Sequence, residues 1–284
     1  MNNNKLKMYC ISIDENDFKL IEDLSYIPVG LGEADFSNKW TRDNEGINIS
    51  KKNKWYSELT FHYNFWKNKI NTIEDNTWIG FCAYRDFWVN EIEYKKYLNN
   101  ITSYQDINKN RFNEIKNIAV KSIPEYWKNY ETILGDELTL QNVKLIKILK
   151  YGKIALLRNP KALFRSGRSI RWQFDMYHGN GMLDRAINLL DENEKKDFSK
   201  FVNSNTSFNR GCAFICRSKK KMNLFYNSLF PWLERCEKIF GFNLEGYGKT
   251  RIYAFLAERY ISYWFKKYSN YLVWPLLTFN IPRK

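Results

Sequence analysis

The chain has 284 residues, of which 44% are apolar, 17% aromatic and 27% charged, enough to bury a substantial core and unlike a disordered, collagenous or disulfide-stapled chain. Forty-five Lys and Arg against 31 Asp and Glu give a formal charge of +14, which favours anionic partners: nucleic acid, a membrane surface or phosphorylated small molecules. No stretch approaches the ~20 apolar residues of a bilayer span, MNNNKLK leads into a short strand and not into a signal-peptide core, and five cysteines without framework spacing imply reduced thiols in a cytosolic setting.

Residues 7–13 (KMYCISI) read as an opening strand, with Asp14 in the loop at its end. A helical piece follows over 17–24, then 26–32 (YIPVGLG), where Gly30 and Gly32 would let backbone approach a ligand. Residues 33–52 are polar and turn-rich, as a loop over a crevice should be. Trp55, Leu59, Tyr63, Trp66 and Ile70 recur at helical spacing, which predicts one helix with that face against a sheet, and Ser50 and Asn53 are its candidate caps. Residues 77–88 (TWIGFCAYRDFW) predict a strand buried on both faces that breaks at Tyr84, Arg85 and Asp86. Such ends of open α/β sheets are where ligands sit.

Residues 91–122 are Asn-rich, mixed in charge and mostly helical in pattern, a candidate insertion. Helices are expected from Pro124 through EYWKNYETIL and over 138–150, and a strand over 153–157 (KIALL). In 161–171 (KALFRSGRSIR), Arg165, Arg168 and Arg171 recur every third residue around Ser166 and Gly167, which suits a phosphate-binding turn or a solvated face. Gln173, Asp175 and His178 follow, then a Gly-rich turn and a helix from Met182. Residues 211–217 read as a strand, whose Cys212 and Cys216 lack the partners of a zinc set. An amphipathic helix spans 222–240. The last helix carries Arg251 and Glu258 on one face with Arg259 beside them; adjacent charges are expected to need separate partners. The tail, 271–281, reads as a docked edge or a membrane-touching segment.

Several fixed spacings coincide. They are D-x-x-G-x-N-I-S-x-x-N (Asp43 to Asn53), Y-S-E-L-T (Tyr56 to Thr60), aromatic-x-x-W-K-N ending at Asn68, and I-G-F-C-x-Y-R ending at Arg85. They resemble the signature of a bacterial domain family first described as of unknown function and found among capsular-polysaccharide and lipopolysaccharide-type glycosyltransferases. Q-F-x-x-x-H with a downstream Asp (Gln173, His178, Asp184) is similar to that family's middle motif, A-F-I-C-R-S to its third block, and R-I-Y-A-F-L-A-E-R-Y-I-S-Y-W to its last. The chain reads A-Y-R-D-F-W where relatives read H-Y-R-R-Y-F, leaving Ala83 and Asp86, and Cys212 stands where Asn is usual.

The resemblance implies an α/β fold that is GT-A-like (Rossmann-like), a mixed sheet flanked by helices with a helical insertion and a helical C-terminal part. It implies one domain over 1–284: a nucleotide-sugar-binding half at 1–90, the insertion at 91–150 and an acceptor-side half at 151–284. The implied activity is transfer of a hexose from a nucleotide donor, expected to be a UDP-sugar, to a glycan or lipid-linked acceptor in bacterial surface polysaccharide synthesis. The expected setting is cytoplasmic, at the inner face of the cell membrane, with peripheral contact to anionic lipid. Donor contacts fall to Asp43, Asn48, Ser50, Asn53, Glu58, Thr60, Tyr84 and Arg85. Phosphate or acceptor contacts fall to Arg165, Arg168, Arg171, Arg251, Glu258 and Arg259. Candidates for the base that takes the acceptor proton are His178, Asp184 and Asp86, in that order. The usual nucleotide-sugar transferase strand ends in a metal-holding D-x-D pair, whereas Ala83-Tyr84-Arg85 offers none. A guanidinium is therefore expected to neutralise the diphosphate with no metal cofactor required, magnesium or manganese being the alternative. The rival readings are a basic nucleic-acid-binding protein, disfavoured because aromatics fall on core stripes and not among the lysines, and an inactive pseudo-glycosyltransferase, suggested by Ala83 and Asp86.

Overall fold

The structure, a computed structural model, describes residues 5–97, 104–106, 112–143, 146–148 and 152–280. Its strands are β1 (Leu6–Ser12), β2 (Ile27–Gly30), β3 (Thr41–Arg42), β4 (Trp78–Ala83), β5 (Asp86–Trp88), β6 (Tyr104–Asp106), β7 (Thr132–Leu134), β8 (Glu137–Thr139), β9 (Ser207–Asn209), β10 (Phe214–Cys216), β11 (Tyr271–Val273) and β12 (Leu276–Asn280). The main sheet runs β11-β7-β10-β4-β1-β2-β3. β1 pairs in parallel with β2 on one side and β4 on the other, and β10 is antiparallel to β4. The chain thus leaves β1 first to one side and later to the other, creating a switch point at the carboxyl ends of β1 and β4. A smaller sheet, β5-β12-β6, lets the C-terminal segment return to the turn after β4.

Alternation along the two central strands makes two cores. Tyr9, Ile11, Ile79 and Phe81 face a helical layer containing Leu59–Asn64, Ile170–His178, Lys219–Phe240 and Ile252–Tyr268. Met8, Cys10, Trp78 and Cys82 face the opposite layer, with Ile21, Trp88, Trp127 and Trp274. Both faces of β4 are therefore apolar, as its sequence predicts. All five cysteines are buried and unpaired. No described helix is long and apolar enough to cross a membrane.

Four local expectations are corrected. The helix expected through Trp55 to Ile70 is interrupted at Ser57, whose φ of 52° and ψ of −134° end Asn53–Tyr56 before Leu59–Asn64 begins. The interruption rotates the register. Phe61, His62 and Phe65 now meet Tyr9 and Phe81 of the sheet, while Tyr63 and Trp66 pack on Phe230 of the long helix. The helix expected after Pro124 is only a turn, Glu125–Trp127, and Thr132–Leu134 becomes β7 because β10 and β11 supply ladder partners on both sides. Of 138–150, expected to be helical, residues 138–142 complete β8 and form a short turn, while 144–145 and 149–150 lie outside the described residues. Residues 153–157, expected to be a strand, lie in the helix Lys153–Arg158, with Ala155 inward and Leu157 outward; a short apolar run does not separate the two states.

Gly80 lets neighbouring side chains approach β4 closely: a Cβ there would clash with Met8 Sδ and lie 3.0 Å from Ile215 Cγ1. Gly80→Ala should overpack this contact and cost about 1–3 kcal/mol, read as a lower midpoint in urea unfolding.

Candidate active site

A cleft of about 430 Å³ opens at the switch point. Ile11 and Ala83 bring it the carboxyl ends of β1 and β4, and residues 210–213 bring it the amino end of β10. Three cations, Arg85, Arg210 and Arg251, and three carboxylates, Glu58, Asp86 and Glu258, line it. The helix Ile252–Tyr268 begins beside Arg251 and borders the cleft with Ala254, Phe255 and Glu258, a spacing that places two turns of one helical face along the cleft wall.

Glu58 is placed by a strained turn. A positive φ at a non-glycine residue such as Ser57 costs of order 1–3 kcal/mol and persists only where its surroundings hold it. Here Asn53 Nδ2 donates to the Ser57 carbonyl at 3.0 Å and to Thr60 Oγ1 at 3.2 Å. The Thr60 hydroxyl donates in turn to buried Asp43 at 2.6 Å, and Asp43 also accepts from the Gly32 amide at 3.2 Å. Burial raises the pKa of the Asp43 carboxyl, while the Thr60 bond opposes the rise. Asp43, Asn53 and Thr60 thus brace the turn from behind and do not line the cleft. Asn48 accepts from the Ser50 amide at 3.2 Å and donates to the Asn44 and Gly46 carbonyls, so the capping side chain of this loop is Asn48. Asn68 zips the loop to the helix through both polar groups of Ile47.

The middle and last motifs meet behind the cleft. Arg259 is buried, and its guanidinium donates to Glu258, to the Phe255 carbonyl at 3.1 Å and to Gln173 Oε1 at 2.9 Å, while lying 4.3 Å from the centre of the Phe208 ring. The adjacent pair therefore does meet, against the expectation of separate partners, because the long Arg259 side chain folds back along its own helix. His178 is held at both nitrogens. Its Nδ1 donates to the Gly248 carbonyl at 3.0 Å, leaving Nε2 to accept from Arg259 at 3.4 Å. Burial, then the Arg259 charge, pushes its pKa down to about 3. Phe255 stacks on it at 3.9 Å, placing the imidazole behind the ring that lines the cleft.

Of the remaining predicted residues, Asp86 lines the cleft and accepts from the Thr278 hydroxyl, with burial raising its pKa. Glu258 accepts from the Gly211 amide, and burial raises its pKa too. Arg85 is exposed at the cleft beside the Tyr84 ring, whereas the Tyr84 amide donates to Ile11. Asp184 pairs with Arg171 on the helix Met182–Ile187. Arg165 is exposed, and Arg168 is buried against the carbonyls of Gln141, Val143, Ala162 and Leu163. The three arginines of that turn are consequently used differently, and none lines the cleft. Asp14 caps the turn after β1, and a Cβ on Gly30 would meet Phe36.

The structure adds Ser57, His62, Arg210, Tyr247, Phe255 and Thr278 to the cleft. His62 accepts from or donates to the Tyr226 hydroxyl at 2.9 Å, and burial pushes its pKa down to about 3. Arg210 sits two residues before Cys212 in the third motif, the one local signal that marked it. Thr278 has no such signal, because β12 reaches the cleft only by pairing with β5.

Comparison with known proteins accords with this architecture. A family model described as a domain of unknown function, DUF4422, matches residues 8–270. The structure described as WbbM bifunctional glycosyltransferase in its apo form aligns with a TM-score of 0.66 at 17% identity, covering 99% of this chain and 46% of that one. This chain therefore spans about half the length of that relative. No curated protein matches the chain by sequence. The shared fold is the GT-A-like arrangement of a mixed sheet flanked by helices.

Two outcomes follow from the brace and the buried imidazole. Thr60→Val should leave Asp43 buried without its shorter donor and destabilise the chain by about 1–3 kcal/mol in urea unfolding. The unfolded chain takes up a proton at His178 near 6.5, whereas the folded chain does so only at about 3. The stability from its neutral form is whole above 6.5 and is lost as pH falls towards 3. The unfolding free-energy difference between wild type and His178→Gln should therefore shrink across that window.

Proposed function

The chain belongs to the DUF4422 family, and from the facing cations and carboxylates of its switch-point cleft we propose that it is a glycosyltransferase using a nucleoside diphosphate sugar. The acceptor oxygen bonds to the anomeric carbon as the bond from that carbon to the diphosphate breaks. The electron pair leaves with the nucleoside diphosphate, and the acceptor proton passes to a carboxylate. Such a reaction needs positive charge where the leaving group gathers negative charge, and a base close by.

The observation that carries this reading is the composition of the cleft. Arg85 is exposed there, and the only side-chain hydrogen bond of Arg251 among the described residues is to Ser57 Oγ, at 3.4 Å, its guanidinium lying 5.0 Å from the centre of the Tyr247 ring. Both guanidinium groups therefore keep donors with which to meet a diphosphate bidentately. Among the carboxylates, Glu258 is committed to Arg259 and Gly211, and Asp86 to Thr278. Glu58 has a thiol neighbour, Cys212, and no cation on it among the described residues, so it takes the role of base in this reading. The signature motifs support the finer part of the proposal: UDP as the nucleotide, and a glycan or lipid-linked chain of bacterial surface polysaccharide as acceptor. The relative's description as a bifunctional glycosyltransferase supports the reaction class.

The test is nucleoside diphosphate release from a panel of nucleotide sugars with and without glycan acceptors. Turnover of UDP-sugars is expected, and none with any donor would overturn the function. Arg85→Ala should lower kcat/KM by roughly 10- to 100-fold, the worth of a hydrogen bond to a charged group. Glu58→Gln should lower kcat by ~10²–10⁴-fold with little change in KM. Activity should persist in excess chelator; activity restored only by manganese or magnesium would contradict the guanidinium role.

A further inference from the structure

Residues 138–174 contain five lysines and four arginines and no Asp or Glu. Within them, the helix Lys153–Arg158 and the turns Pro160–Leu163 and Arg165–Gly167 follow one another directly. Ala155 and Ala162 point inward onto a small core with Trp172 and Met176. The outward positions carry large apolar side chains: Leu157 is 83% exposed, Phe164 72%, Ile154 59% and Leu163 49%. Exposed Lys153, Arg158, Lys161 and Arg165 alternate with them.

This apolar exposure is held rigidly. Buried Arg168 reaches four backbone carbonyls, those of Gln141, Val143, Ala162 and Leu163, at 2.6–3.4 Å. Asn159 Nδ2 ties the same turn to the Gly167 carbonyl at 3.1 Å. Scattered exposed apolar residues are ordinary, whereas a fixed cluster of them marks an interaction surface.

We propose that this platform, centred on Leu157 and Phe164, docks the protein onto an anionic lipid bilayer. Leucine, isoleucine and phenylalanine side chains enter the headgroup and acyl boundary, and the surrounding Lys and Arg side chains extend to the lipid phosphates. Charge selects this occupant over a second copy of the chain, since two such faces would oppose like charges without acidic partners. The predominance of aliphatic over aromatic side chains selects it over a nucleic acid, which would need stacking surfaces. Leu138, at the start of the acid-free segment, lines the cleft, and Arg168 clamps Gln141 and Val143 just beyond it. Cleft and platform are thus joined where Arg168 ties Gln141 and Val143 to the turn that carries Leu163 and Phe164. Docking does not depend on the proposed sugar transfer.

The experiment is co-sedimentation of the full chain with vesicles of phosphatidylcholine alone or mixed with phosphatidylglycerol. Wild type should bind the anionic vesicles and release as salt rises. Leu157→Glu with Phe164→Glu should weaken that binding at least roughly tenfold, and Lys153→Glu with Lys161→Glu should weaken it comparably. Circular dichroism melting verifies that each variant is folded, and donor hydrolysis in solution reads the cleft separately. Wild type that stays in solution with anionic vesicles, or two folded double variants that bind as tightly as wild type, would overturn the proposal. Binding to a single-stranded oligonucleotide without vesicle binding would reassign the surface to nucleic acid.

Discussion

The buried carboxylate of Asp43 holds the architecture of the cleft in place. It accepts from the Gly32 amide after β2 and from the Thr60 hydroxyl, and the Asn53 amide links that hydroxyl to the Ser57 carbonyl. These bonds hold Ser57 at positive φ against its preference for ordinary helix. An unbraced segment would continue as a regular helix. Glu58 would then turn from the cleft, and Phe61 and Phe65 would lose their contacts with Tyr9 and Phe81. The brace therefore couples the hydrophobic core to the position of a charged side chain one layer away.

A second buried charge performs the same service from the C-terminal half. Arg259 is desolvated, which by itself is unfavourable, and Glu258, Gln173, the Phe255 carbonyl and the Phe208 ring compensate. A pair of this kind contributes little net stability against an apolar replacement, but loss of one partner leaves an uncompensated charge. Its effect is orientation. Glu258 is held towards the Gly211 amide, at the amino end of β10, so the last helix and the antiparallel strand are joined at the cleft wall.

Charge is thus handled in two ways across the molecule. Asp43, Arg168 and Arg259 are buried and hydrogen-bonded to several partners each, and they position backbone. Arg85 and Arg251 face the cleft with few or no protein partners, and Lys153 and Lys161 face solvent among exposed apolar side chains. The separation explains how a strongly basic chain keeps a mostly apolar interior while cations remain available in the cleft and on the platform.

The sequence alone determined the central strands and the long helices, because β1, β4 and Lys219–Phe240 each bury an apolar pattern long enough to set its own period. It also marked Glu58, Arg85, Arg251, Glu258 and Asp86, all of which the structure brings to one cleft. Tertiary structure decided the short segments. Thr132–Leu134 is a strand because two neighbours offer ladder bonds, and Lys153–Arg158 is a helix because only one side has a core to meet. It also decided the use of each polar residue. Spacing could not distinguish Arg168, which closes four carbonyls, from Arg85, which is exposed at the cleft, since the difference lies in chain that arrives from elsewhere in the sequence. Periodicity records which face of an element is buried, while the partner of a charged group depends on long-range packing that no local window contains.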